Sequence, residues 1–228
     1  MTAIVFDYGG TLGGHMSFKK ALEAILEHDH AGAVGESIDR QIAELSGPGQ
    51  TEQPDWEPIW RAAFAEFQLP FVEELCEAHF QHWLSESPVY EFVPELLHEI
   101  RYCGLKTGLL SNITGPSRMI AEDFEAKGLQ ELFDAVVWSC DLGVRKPAPE
   151  AFATIAEKLG EHPSSLFMVG DDEVCDIQPA RAAGWRTVRV YSSGHPPETE
   201  ADLVVRNRDL TTLMLGPREA LLRRLSGY

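Results

Sequence analysis

Ile4-Val5-Phe6-Asp7-Tyr8-Gly9-Gly10-Thr11-Leu12 is the stretch whose reading decides the fold of this 228-residue chain. A short apolar run rich in strand formers delivers one carboxylate and then breaks on two glycines and a threonine. Such a run, bounded by glycine, reads as a buried strand. The paired glycines let the main chain turn tightly and let a ligand come close to it. A carboxylate at the carboxyl end of a buried strand stands where open α/β sheets bind their ligands. Read alone, the same stretch is also satisfied by a strand that ends in a surface turn.

Working outward, the chain leaves through Gly13-Gly14-His15 and becomes helical. Apolar spacing predicts helices over 17–28, 36–45, 56–67 and 71–84, separated by a Ser46-Gly47-Pro48-Gly49-Gln50 loop. From there on, strand and helix alternate. Strands are expected at 107–110, 135–138, 166–169, 187–191 and 203–205, with helices at 94–102, 117–127, 150–159, 177–183 and 217–225. Units of this length imply a parallel, doubly wound, Rossmann-like α/β sheet. The helical block sits between the first strand and its expected partners. The organisation that follows is a core of residues 1–14 and 89–228 with an inserted helical cap of residues 15–88.

Bulk composition narrows the function. Hydrophobic residues make up 44% of the chain, enough to build a core. The formal net charge of −17, from 36 acidic against 19 basic residues, argues against nucleic acid and anionic membrane surfaces as partners. Cys76, Cys103, Cys140 and Cys175 are far apart, as expected of reduced thiols in a cytoplasmic protein. No basic region followed by a long apolar one opens the sequence. No run approaches the ~18 apolar residues of a membrane helix.

Two further strands end as the first does, on Ser111-Asn112 and on Gly170-Asp171-Asp172, and Lys146 sits on a loop between them. In a parallel sheet these ends share one edge, so the groups can converge. Taken singly, each has a plainer reading: a turn, a solvated lysine, helix-start acids. Taken together they compose a phosphoryl-transfer site. Asp7 is the candidate nucleophile, able to form an aspartyl phosphate. Thr11, Ser111, Asn112 and Lys146 are the candidate phosphate binders, with Lys146 neutralising Asp7 and the phosphate. Asp7, Asp171 and Asp172 side by side call for a cation, and Mg²⁺ suits carboxylates, a main-chain carbonyl and waters. Asp176 reads as a cap or as support behind the ligands. In the helical block, His79 and His82 lie a turn apart but read as packing residues, and Trp56, Trp60 and Phe64 as the block's own core.

F-D-Y-G-G-T-L (6–12), L-L-S-N (109–112), G-V-R-K-P (143–147) and V-G-D-D-E-V-C-D-I (169–177) resemble, in order, the four motifs of the haloacid dehalogenase-like hydrolase superfamily. The intervening helical block is similar to the cap that many members insert at that point. The resemblance implies Asp7 as nucleophile and metal ligand, with Ser111 on the phosphate. It also implies Lys146 as the stabilising lysine, and Asp171 and the carbonyl of Gly9 on Mg²⁺. The expected activity is hydrolysis of a small phosphorylated metabolite.

One position departs from the pattern. Phosphatases of that superfamily usually carry a second Asp two residues after the nucleophile, as general acid and base, whereas this chain has Gly9. A missing acid–base group costs about 10²–10⁴-fold in rate. His15 is the nearest titratable replacement; Asp172 and Asp176 are further titratable groups beside the site. Two alternatives to phosphate-ester hydrolysis stand beside it. One is cleavage of a phosphonate or another carbon–heteroatom bond, in the phosphonate case through a Schiff base on Lys19 or Lys20. The other is non-catalytic binding of phosphate or metal.

Overall fold

The computed structural model describes residues 2–14, 17–214 and 218–225. Six parallel strands form one sheet: β1 (Ala3–Phe6), β2 (Lys106–Ser111), β3 (Ala135–Trp138), β4 (Leu166–Gly170), β5 (Arg186–Tyr191) and β6 (Leu203–Arg206). Their order is β3-β2-β1-β4-β5-β6. The order reverses between β1 and β4, which opens a crevice at the carboxyl ends of those two strands.

Strand alternation divides the core. Ile4 and Phe6 of β1 join Leu109, Val169 and Val188 on one face, while Ala3 and Val5 join Leu110, Leu166 and Met168 on the other. Every residue of β1 is buried, as expected of a central parallel strand covered on both sides. The first face is covered by α5 (Val93–Tyr102) and α6 (Ser117–Ala126), through Leu96, Leu97, Ile100 and Phe124. The second is covered by α8 (Pro149–Leu159) and α9 (Gln178–Ala182), through Phe152, Ile155, Leu159 and Ala180.

Between β1 and β2 lie α1 (Phe18–Ile25), α2 (Ala31–Leu45), α3 (Trp56–Glu66) and α4 (Glu73–Ser85). The outgoing and returning chains run side by side: Gly14 N donates to Pro88 O at 2.9 Å and Tyr90 N to Leu12 O at 3.0 Å. Trp60, Phe64, Phe80 and Phe18 form the interior of this lobe, with Trp60 stacked on Phe80 at 4.6 Å between centroids. Trp56 packs against them. His79 is a core residue too, accepting from Trp60 Nε1 on Nδ1 at 3.2 Å. Its Nε2 lies 2.8 Å from Phe18 O, which fixes the neutral tautomer with the proton on Nε2.

Several boundaries differ from the sequence expectation. α2 begins at Ala31, because its packing on α1 and α3 outweighs the low helix propensity of Gly32 and Gly35. Ser139–Leu142 (α7) makes one helical turn before the expected loop. A short helix, α10 (Leu210–Met214), follows β6 and precedes the terminal α11 (Arg218–Leu225). The segment after β4 is helical from Glu173, as a widened turn over Glu173–Ile177 that runs into α9. No helix among the described residues is long and apolar enough to cross a membrane.

Candidate active site

Sheet register sets the site. Phe6 is level with Val169 of β4 and Leu109 of β2, so Asp7 stands one step beyond both, beside Gly170 and Leu110. Asp7 N donates to Val169 O at 2.9 Å, which extends the ladder to the carboxylate itself. Asp171 and Ser111 each follow one residue later, so three strand ends crowd one edge.

Lys146 reaches this edge from the loop after α7. Its Nζ donates to Asp7 Oδ1 at 2.7 Å and to Asp176 Oδ1 at 2.5 Å. All three side chains are buried. Burial opposes the lysine's charge, but Asp176 and Asp7 override it and hold the ammonium protonated, above the ordinary lysine range. Burial raises the Asp7 carboxyl pKa, with Lys146 opposing. The loop is held by Asn112: Lys146 N donates to Asn112 Oδ1 at 2.8 Å, and Asn112 Nδ2 donates to Lys146 O at 2.9 Å. Both ends of the Asn112 side-chain amide are therefore engaged by the Lys146 main chain, and the side chain places the lysine.

The third carboxylate differs from expectation. Oxygens of Asp7, Asp171 and Asp176 lie within 4.8 Å of one another. Asp172 is exposed, and its Oδ1 accepts from Val174 N at 2.8 Å and Cys175 N at 2.7 Å. It caps the widened turn, and the turn folds Asp176 back into the cluster in its place. Asp176 Oδ2 accepts from Asp172 N at 3.1 Å, so both Asp176 oxygens already have partners. Burial, then the negative charge of Asp176, pushes Asp171 up to about 6. Burial likewise raises Asp176 to about 6 against the pull of Lys146. Three hard oxygen donors facing one ammonium leave negative charge uncompensated, and that donor set fits Mg²⁺. Gly10 makes room for the Asp171 carboxylate: at φ +75°, a Cβ there would lie 2.2 Å from Asp171 Oδ2.

Thr11 is fully buried, and its hydroxyl has no hydrogen-bond partner among the described residues. His15 lies outside the described residues. Lys19 pairs with Glu36 at 3.1 Å on the surface of α1, and that contact raises its pKa. It is a solvated ammonium, not the neutral amine a Schiff base requires.

Beside the strand ends, a cavity of about 430 Å³ separates the α/β core from the helical lobe. Tyr8, Gly9, Ser111 and Asn112 form its floor, and Phe18, Ile42 and Trp83 its roof. Arg145 also lines it, a residue the sequence reading assigned no role. Its only signal there was a basic residue next to Lys146 in an acidic chain.

The family model described as haloacid dehalogenase-like hydrolase matches residues 1–184. The phosphoserine phosphatase of Thermus thermophilus is 30% identical, over 93% of this chain and 90% of its own. The phosphoglycolate phosphatase of Salmonella typhimurium is 30% identical over 54% of this chain and 48% of its own. In fold, the L-2-haloacid dehalogenase of Xanthobacter autotrophicus superposes with a TM-score of 0.68 at 22% identity, covering 93% of this chain and 98% of that one. With most of its length under that family model and a phosphatase as near-full-length relative, this chain belongs to the haloacid dehalogenase-like hydrolases, as an enzyme of phosphatase type.

Proposed function

We propose that the enzyme is a Mg²⁺-dependent phosphatase, acting on a small phosphorylated metabolite through an aspartyl phosphate on Asp7. The observation that carries this reading is the Asp7–Lys146 pair at 2.7 Å, whose chain neighbours Tyr8 and Arg145 line a cavity sized for a small molecule. Asp7 Oδ1 is oriented by the ammonium, and the other carboxylate oxygen is the attacking atom. Lys146 neutralises the nucleophile's charge as it meets an anionic phosphoryl group. Ser111, buried at the end of β2, donates to a phosphoryl oxygen. Asp7, Asp171 and the Gly9 carbonyl would hold the Mg²⁺, with Asp176 supporting Lys146 from behind. When bound, the ion supplies charge neutralisation and phosphoryl orientation. Water then hydrolyses the aspartyl phosphate and restores Asp7. Residues 15–88 serve as the cap that selects substrate and shields the site, on a core of residues 1–14 and 89–228.

Hydrolysis of p-nitrophenyl phosphate tests the reading, because its leaving group needs little protonation and so tolerates Gly9. Turnover should require a divalent ion and vanish in Asp7→Asn. Purified protein without turnover under any divalent ion, or an Asp7→Asn variant as active as wild type, would overturn it.

A further inference from the structure

Arg145 directly precedes the lysine of the site, yet its side chain takes a different course. It is 9% exposed and lines the cavity with Ser111 and Asn112. Its Nη1 donates to Ser46 Oγ on the loop after α2, and its main-chain N donates to Thr51 O at 2.9 Å. The guanidinium therefore reaches toward the helical lobe, while Lys146 reaches Asp7. No carboxylate among the described residues pairs with it. Two acids lining the same cavity are committed elsewhere. Asp39 accepts from Phe18 N and Lys19 N, each at 3.1 Å, and Asp123 pairs with Lys127 at 2.6 Å. Burial presses the guanidinium pKa below its ordinary value, with only the nearby Cys175 acting against that. In a chain of net charge −17, a nearly buried arginine partnered by one hydroxyl is an exception.

We infer that Arg145 is a specificity residue that binds a carboxylate on the leaving-group side of the substrate. The substrate is then a small phosphate monoester that also carries a carboxylate. This rests on the phosphatase reading above. A guanidinium offers five donors in a planar fork that matches a carboxylate in bidentate geometry, and one hydroxyl uses little of it. The apolar roof of the same cavity, Phe18, Ile42 and Trp83, lowers the local dielectric and strengthens such a pair. With the phosphoryl group held at Asp7 and at Ser111, which lines the cavity floor, a guanidinium turned to the lobe meets what the phosphate is attached to.

Two ester pairs that differ only by a carboxylate supply the test: phosphoglycolate against methyl phosphate, and O-phosphoserine against O-phosphoethanolamine. In the wild type, kcat/KM should favour the carboxylated member of at least one pair by roughly 10- to 100-fold, the worth of a charged hydrogen-bonded contact. Arg145→Gln should collapse that ratio, mainly through KM, and Arg145→Lys should keep part of it. Ser46→Ala, which removes only the lobe contact, should preserve the ratio. Both members falling together in Arg145→Gln, or the ratio collapsing in Ser46→Ala, would overturn the inference. So would wild-type enzyme that turns over p-nitrophenyl phosphate without any carboxylate preference. If Arg145→Gln does not fold, Arg145→Lys decides by the same ratio. Failure to hydrolyse any ester sinks the phosphatase reading separately. Calorimetric binding of phosphoglycolate and methyl phosphate then decides the arginine's role, and equal affinities in wild type and Arg145→Lys would count against it.

Discussion

Asp176 Oδ1 accepts a hydrogen bond from Lys146 Nζ at 2.5 Å, with both side chains sealed from solvent. The lysine thus answers two buried carboxylates rather than one. Asp176 holds the ammonium where Asp7 needs it, and the rest of the site's electrostatics follows from that arrangement.

Removing the lysine should cost more stability than removing the aspartate. Lys146→Met leaves Asp7 and Asp176 facing each other without a counter-charge, whereas Asp176→Asn leaves Lys146 paired with Asp7. Breaking a buried pair from one side costs about 3–5 kcal/mol, and Lys146→Met should fall in that range. Asp176→Asn should lose less, and Mg²⁺ should recover part of the Lys146→Met loss by supplying positive charge. Urea unfolding with and without Mg²⁺ measures all three, and a larger loss in Asp176→Asn would contradict the arrangement.

Asn112→Ala separates positioning from phosphate binding. The amide clamps the Lys146 main chain from both sides, so its loss displaces the ammonium rather than removing a phosphate ligand. Misplacement of a catalytic group by about 1 Å costs on the order of 10²-fold. Steady-state kinetics on p-nitrophenyl phosphate should show that loss in kcat, with KM little changed. A rise in KM alone would return Asn112 to the phosphate.

Gly10→Ala should act on the cation site. The added Cβ would collide with Asp171 Oδ2, and the left-handed backbone adds about 1–2 kcal/mol of strain for any L residue. Gly128→Ala is the control: its φ is +69°, and nothing lies within 4 Å of the new Cβ. Both variants should melt at lower temperature, but only Gly10→Ala should need more Mg²⁺ for half-maximal activity. Equal Mg²⁺ requirements would mean that Asp171 moves aside without consequence.

The strands were legible because burial on both faces leaves an unbroken apolar signature, as in Ala3–Phe6 and Leu166–Gly170. Their parallel order, and with it the meeting of Asp7, Ser111, Lys146 and Asp171 at one edge, followed from strand–helix alternation. The choice between Asp172 and Asp176 was not legible. It depends on a widened turn whose geometry Asp172 itself fixes, and two carboxylates four residues apart carry no mark of which one turns inward. The hold of the Asn112 side chain on the lysine loop was not legible for a similar reason: its partners are main-chain atoms 34 residues away. Arg145 was silent because its direction depends on docking of the 46–51 loop onto the core.

Gly9→Asp should restore what that position lacks. A carboxylic acid two residues after Asp7 would protonate a poor leaving group, a contribution of about 10²–10⁴-fold where general acid catalysis operates. The gain should be large for alkyl phosphates and small for p-nitrophenyl phosphate, whose leaving group departs without help. Equal gains, or none, would mean that proton transfer is already supplied by another group.

His79 should make the stability of the helical lobe pH-dependent. Burial lowers its pKa from 6.5 to about 4, against the favourable contact with Phe18 O, and neighbouring His82 adds to the lowering. Above pH 6.5 the imidazole is neutral whether the lobe is folded or not, so it makes no pH-dependent contribution there. Between pH 6.5 and 4 the unfolded chain takes up a proton that the folded lobe refuses. Stability is therefore lost as the pH falls through that window and levels off below it. The full loss amounts to about 3 kcal/mol at one pKa unit per 1.36 kcal/mol. A His79→Gln variant keeps an amide in place of the ring but does not titrate. The difference between wild-type and variant unfolding free energies, measured in urea from pH 7.5 to 5, should hold constant down to about pH 6.5 and shrink below it, because only the wild type refuses a proton there. Other acidic groups titrate in both proteins and cancel. Curves that stay parallel over that range would mean that His79 keeps its ordinary pKa inside the lobe.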